Sequence, residues 1–417
     1  MFRPILGYIF FLAVSLAFCN KSAIKQRQNW SIVLYGVILQ VVLVFAMINI
    51  PAVISFFECM ANGIMKLKDA TIEGTRFVFG YLGGGDPPFQ VKEGSSAYIL
   101  GFQALPTVIL FCILSSVLTY LKILPFLSKG VGYIFKVVFK VRESIGMVAA
   151  ARIFVGQFEA PLLIKHELDT LKKSDLFIIL ALSFTTASAA VMPIYAGALE
   201  GICPNAMRHV IMSSVVSVIS ALIICSIMAP SEESGATNAL PTDANSSRPY
   251  TSFMGALSKG LSDGCFVWWC IVGSMIGMVA LIAFVNCILA QFPSIGGSPL
   301  TLQSIFGLIM YPFAWLIGIE SADLFAVSQV LGTKLAVNEV VAYFDLAKAN
   351  ISQESVVKTI YAITNFGNFS CIGITVGGMA ALAPAQKDIP VLIGKAFVAA
   401  LLATGLSSTI ISIFFSF

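Results

Sequence analysis

Glu159 and Glu339 have the most chemistry to offer, because each stands in an otherwise apolar stretch. The first stretch is Ala149-Ala150-Ala151-Arg152-Ile153-Phe154-Val155-Gly156-Gln157-Phe158-Glu159-Ala160-Pro161. The second is Gly332-Thr333-Lys334-Leu335-Ala336-Val337-Asn338-Glu339-Val340-Val341-Ala342-Tyr343. A charged side chain at mid-bilayer costs about 2.5–3.5 kcal/mol on the mildest scale. Such residues persist only where they face protein, water or a substrate. Each carboxylate has an amide close by, Gln157 and Asn338. Carboxylates accept hydrogen bonds, and amides both donate and accept. The pairs therefore suit a neutral, hydroxyl-rich ligand better than an ion. Two carboxylates also admit an acid–base reading. No nucleophile–base pair, metal-ligand cluster or cofactor motif accompanies them, so the expectation is that the chain is not an enzyme.

The bilayer follows from composition. Of 417 residues, 58% are hydrophobic and 11% charged, and the mean hydropathy is +0.91. Soluble domains carry about 25% charged residues, so the chain reads as an all-α polytopic membrane protein. The net charge of +4 forms no basic face for nucleic acid. The nine cysteines mostly sit inside apolar runs without a Cys-x-x-Cys pair and read as small buried hydrophobes. His166 and His209 lack companion ligands, so no metal is expected.

Apolar runs of spanning length, about 20 residues each, fall at 4–19, 30–50, 97–121, 175–199, 207–229, 266–290, 353–381 and 390–417. The first reads as a retained helix, since bulky Phe18 precedes Cys19 where a cleaved leader needs small residues. Lys21, Lys25 and Arg27 place the 20–29 loop in the cytoplasm, and an even number of spans puts both termini outside. Residues 51–76 mix charged and apolar side chains and read as an interfacial helix plus a loop. Gly83-Gly84-Gly85-Asp86-Pro87-Pro88 is a turn. The polar stretch 230–250 reads as a linker. The divisions expected are 1–96, a first repeat at 97–229, the linker, and a second repeat at 251–417.

The halves share a pattern. Thr186, within Thr185-Thr186-Ala187-Ser188-Ala189-Ala190, lies 27 residues after Glu159; Asn368, opening Asn368-Phe369-Ser370-Cys371-Ile372-Gly373, lies 29 after Glu339. Small and polar residues in mid-span serve close helix packing or a broken helix. Unwound backbone is tolerated at membrane depth where it lines a cavity, and matched interruptions in two halves point to a transporter site. The runs at about 131–165 and 320–347 are apolar but too interrupted to span, and read as re-entrant hairpins. Their tips meet the two breaks, so four helix ends converge near the midplane and offer free amides and carbonyls.

From about Phe77 onward the chain resembles the concentrative nucleoside transporters. The landmarks are Phe77-Val78-Phe79-Gly80, Leu105-Pro106, Ile153 to Pro161 with Gly156-Gln157-x-Glu159, Gly332-x-Lys334-x-x-x-Asn338-Glu339-x-x-Ala342-Tyr343, and Phe366-x-Asn368. The resemblance implies about eight spans, two re-entrant hairpins in inverted repeats, a scaffold, an elevator-type transport domain and a homotrimer. It implies nucleoside import driven by Na+ or H+, with no other cofactor, in a membrane that the compact size suggests is a bacterial inner membrane. Gln157 and Glu159 would face the nucleobase, Glu339 and Asn368 the ribose hydroxyls, and Phe366 would pack against sugar or base.

Three residues depart from the family pattern. Phe158 replaces a small hydroxyl residue, which either turns a ring into lipid or alters base selectivity. Cys371 replaces a serine at the expected ribose site, a weak donor for a good one. Arg152 replaces the asparagine of sodium-using members, near a cation site completed by Val155 and the Thr186 hydroxyl. Either its guanidinium stands in for the cation, leaving proton-coupled or facilitative transport, or it snorkels to the aqueous edge and sodium still binds. These departures keep open a same-fold carrier of another small polar solute, and a non-transporting sensor.

Overall fold

The computed structural model describes residues 2–19, 30–92, 97–157, 159–229, 250, 252–293 and 300–415. The 20–29 loop, Phe158 and the linker before Tyr250 lie outside the described residues.

Three helices come first: α1 (Phe2–Ala17), α2 (Trp30–Asn49) and α3 (Pro51–Phe79). Pro51 at the first helical position starts α3 directly after α2, where its missing N–H costs nothing. The helix then runs unbroken to Gly80, whose φ of 61° ends it. The loop expected within 51–76 is absent: no proline follows Pro51 in the stretch, Gly63 and Gly74 are accommodated inside the helix, and the charged residues decorate it. A 3-10 turn at Gly80–Gly83 follows, with Gly84 left-handed.

The remaining elements run through one order twice. First come α4 (Thr107–Tyr120), α5 (Ile123–Phe139), α6 (Glu143–Ala151), short turns at Glu159–Leu162 and Lys165–Leu168, α7 (Lys173–Thr185), α8 (Met192–Ala198) and α9 (Ala206–Met228). Then come α10 (Phe253–Leu289), α11 (Leu302–Leu316), α12 (Leu324–Ala336), α13 (Glu339–Lys348), α14 (Gln353–Ile363), α15 (Phe369–Leu382) and α16 (Ile389–Phe415). The apolar stretches 175–199 and 353–381 are therefore broken helices, α7–α8 and α14–α15. The hairpins open later than the expected 131 and 320. Residues 123–139 form the separate helix α5, and Lys140 at φ 51° turns the chain before Glu143 starts α6. The arm of the second hairpin begins at Leu324.

Among the described residues, five helical segments are long and apolar enough to cross a membrane: Trp30–Asn49, Leu100–Tyr120, Ala206–Met228, Phe253–Leu289 and Ile389–Phe415. With α1 and the two broken helices they make up the eight spans. Burial sorts them. The apolar windows of α9 and α16 are 89% and 78% buried, against 6% for α10. Helices apolar all round and buried form a core, while α10 turns Phe266, Trp269, Ile276 and Phe284 outward.

That core is stitched by small and hydroxyl residues, as expected where lipid removes the hydrophobic drive between helices. Ser217 on α9 donates to Ser407 on α16 at 3.4 Å. Gln40 on α2 accepts from Tyr8 on α1 at 2.8 Å and donates to Ser220 on α9 at 2.7 Å. Gly405 lets the Phe11 ring lie against the α16 backbone. The core so fixed is the wall against which α7 and α14 pack.

Candidate functional site

Helix starts and stops position the site. Backbone N–H groups are unsatisfied at a helix start, which favours negative charge and acceptors there. Glu339 is the first residue of α13, Asn338 its cap, and Asn368 the cap of α15. Glu159 opens the short turn after the first hairpin tip.

Around Glu339 the geometry is closed and polar. Tyr195 on α8 donates its hydroxyl to Oε1 at 3.0 Å, and Asn368 donates Nδ2 to Oε2 at 2.8 Å. Glu339 is 5% exposed and Asn368 fully buried. Asn368 also accepts at Oδ1 from the Cys371 N–H at 2.9 Å, so capping fixes the rotamer that aims its amide at the carboxylate. The Tyr195 ring stacks on Tyr343 at 4.5 Å with an interplanar angle of 3°, and the Tyr343 hydroxyl bonds Thr364. Ser370 donates to the Val337 carbonyl at 2.8 Å, tying the second hairpin tip to α15.

Glu159 sits differently. Its Oε2 accepts from the Gly156 N–H at 3.0 Å, and the Cys112 thiol of α4 lies 3.8 Å from Oε1. A Cβ on Gly156 would lie in ordinary van der Waals contact with Glu159 and Ser188, so the tip lies beside the α7–α8 break. Gln157 accepts from Thr375 of α15 at 3.5 Å. Both hairpins thus reach α15, and the second also reaches α8. Phe366 is partly buried two residues before Asn368. Cys371 is buried in the first turn of α15.

Arg152 does not reach an aqueous edge. It is 0% exposed. Nε donates to the Leu182 carbonyl at 3.3 Å, Nη1 to Val155 at 3.1 Å, and Nη2 to Ser183 at 3.4 Å and Thr186 at 3.2 Å. Four backbone carbonyls thus accept from one buried guanidinium. Thr186 takes part through its carbonyl rather than its hydroxyl, which is buried without a partner.

Sequence reasoning passed over Tyr195, Thr375 and Cys112. Tyr195 lies in Met192–Ala198, a run that reads only as apolar helix; a lone tyrosine among small residues just after a predicted break was the available signal. Thr375 and Cys112 carry no local signal, because their partners lie 218 and 47 residues away.

Comparison with known proteins places this geometry among relatives. A model of the Na+ dependent nucleoside transporter C-terminus matches residues 209–412, one of the N-terminus of the same transporters matches 6–82, and a nucleoside-recognition gate model matches 101–202. An uncharacterized transporter of Haemophilus influenzae is 32% identical, over 98% of this chain and 97% of its own. The putative nucleoside permease NupX of Escherichia coli is 27% identical over 99% and 98%. Solute carrier family 28 member 3 of Mus musculus is 28% identical over 91% of this chain but 54% of its own, so this chain spans about half of that relative. A structure of CNTnw in an inward-facing substrate-bound state superposes with a TM-score of 0.87 at 25% identity, covering 100% of this chain and 97% of the other.

Proposed function

The chain belongs to the Na+ dependent nucleoside transporter family, and from that premise we propose that it imports nucleosides through the site between its two hairpins. It is an integral membrane protein that works by alternating access, not an enzyme. The observation that carries the site is Glu339, pre-aimed by Tyr195 and Asn368. A carboxylate with two donors retains lone pairs for the vicinal hydroxyls of a ribose. Gln157 and Glu159, on the other hairpin, serve the base; Phe366 and the first turn of α15 around Cys371 complete the wall. Phe158 lies between Gln157 and Glu159 in the sequence. An uncharged nucleoside needs no phosphate clamp, and these segments supply none.

The coupling ion is read from Arg152. In a family named for sodium, this chain holds a guanidinium on four carbonyls. A guanidinium only donates, so it takes the acceptors that sodium would need and repels the ion. Transport therefore proceeds without sodium at this position, coupled to protons or facilitative. The two halves of the chain act as inverted repeats, and the assembly is the homotrimer that the family resemblance implies, with the exposed face of α10 toward lipid or a second copy.

Uptake of labelled uridine and adenosine into proteoliposomes of the purified protein tests the substrate class. Saturable uptake of either, blocked by excess unlabelled nucleoside, is expected. Uptake of neither, under sodium or proton gradients, would overturn the nucleoside reading in favour of another small polar solute.

A further inference from the structure

The two carboxylates stand at helix starts, and two buried cations stand at helix ends. Arg152 is the C-terminal cap of α6 and bonds carbonyls at the end of α7. In the second repeat Lys334 lies in the last turn of α12 and is 3% exposed. Its ammonium donates at 2.6 Å to the side-chain oxygen of Asn365, just past the end of α14. Each cation thus joins the first arm of a hairpin to the first half of the broken helix that follows it. Each precedes, by a few residues, the carboxylate at its own hairpin tip.

We propose that Lys334 is the counterpart of Arg152 in the second repeat, a tethered cation that positions Glu339 and Asn368 for the ligand. Its bonded partner Asn365 is neutral, and the carboxylate with which its charge interacts is that of Glu339. A cation near a helix C-terminus is also stabilised by the helix dipole. The same Asn365 oxygen accepts from the Gly367 N–H at 3.1 Å. Lys334, through Asn365, therefore shapes the turn that leads into the Asn368 cap. A side chain at Gly367 would press on both Asn365 and the Lys334 ammonium.

This inference rests on Glu339 and Asn368 being ligand-binding, and its test separates the two claims. Uridine and adenosine binding and thermal unfolding are measured on the full chain and on Lys334→Arg, Lys334→Met and Lys334→Ala. Lys334→Met keeps the buried stem without the charge. It is expected to bind at least tenfold more weakly, with Lys334→Arg closer to the parent. Methylammonium, but not methanol, is expected to restore binding to Lys334→Ala and to raise its melting temperature. Parent-like affinity in Lys334→Met, or equal rescue by methanol, would show the position to be packing alone. If the parent binds neither nucleoside, the transport reading fails instead. The melting series then still decides Lys334: a rise specific to methylammonium supports the tethered cation, and none overturns it.

Discussion

Glu339 shows how a carboxylate is kept in a membrane core. Its desolvation is offset by the Tyr195 hydroxyl, the Asn368 amide and the start of α13. A hydrogen bond to a charged group contributes about 1.5–3 kcal/mol, and about 1.4 kcal/mol is a tenfold change in affinity. Tyr195→Phe removes one donor while keeping the ring stacked on Tyr343. Nucleoside affinity by calorimetry should fall about tenfold or more. Glu339→Gln replaces the acceptor and should weaken binding further. Binding by the Gln variant should also discriminate less against 2′-deoxy and 3′-deoxynucleosides, because a site built around hydroxyls rejects ligands lacking them. Unchanged affinity in both variants would remove Glu339 from the site. At this scale much was legible. Glu159, Gln157, Glu339 and Asn368 stand out because charge and amides are costly in apolar runs. Tyr195 and the neighbour of Lys334, Asn365, were not, because their roles arise only when distant segments pack.

Each hairpin arm leans on its preceding helix through paired glycines, which sets how far the tips reach. Gly146 of α6 lies against the backbone of Gly132 on α5, and Gly332 of α12 against Gly307 on α11. Such small-residue crossings let helix backbones approach closely in membranes. A methyl at either crossing meets backbone atoms, which cannot swing away as a side-chain end can. Gly146→Val and Gly332→Val should each destabilise the protein by about 1–3 kcal/mol, the usual range for overpacking, read as a lower melting temperature in detergent. Gly63→Val on α3, where a Cβ meets nothing within 4 Å, is the control. If all three melt alike, the crossings are not close-packed. The hairpins and breaks were legible from interrupted hydropathy, but the starts of the arms were not. α5 carries the same apolar pattern as the arm after it, and the separating turn uses Lys140 in a left-handed conformation, where a glycine would have signalled it. In 51–76 the mixed charges suggested a loop beside an interfacial helix, although no proline follows Pro51 to break the helix.

For the whole molecule, the consequence of Arg152 is energetic. One sodium ion moving with its substrate through 100 mV contributes about 2.3 kcal/mol, enough at about 1.4 kcal/mol per tenfold for roughly 40-fold accumulation. A carrier whose cation is a side chain gains none of this, because the charge returns with the protein on every cycle. Proteoliposomes should therefore reach the same internal nucleoside level whether the outside salt is sodium or choline chloride, at fixed potential. Any accumulation should follow an imposed proton gradient. Arg152→Asn reopens the ring of carbonyls from Val155, Leu182, Ser183 and Thr186 and frees room beside the unpartnered Thr186 hydroxyl. That variant should acquire sodium-stimulated binding, with nucleoside and sodium each tightening the other by the same factor, as linkage between two sites requires. Sodium-driven accumulation by the parent protein would mean that another cation site does the coupling. Failure of the Asn variant to respond to sodium would mean that the carbonyls cannot hold an ion without further ligands. The contrast between the two proteins, measured in one vesicle preparation, isolates the single charge on which the coupling assignment depends.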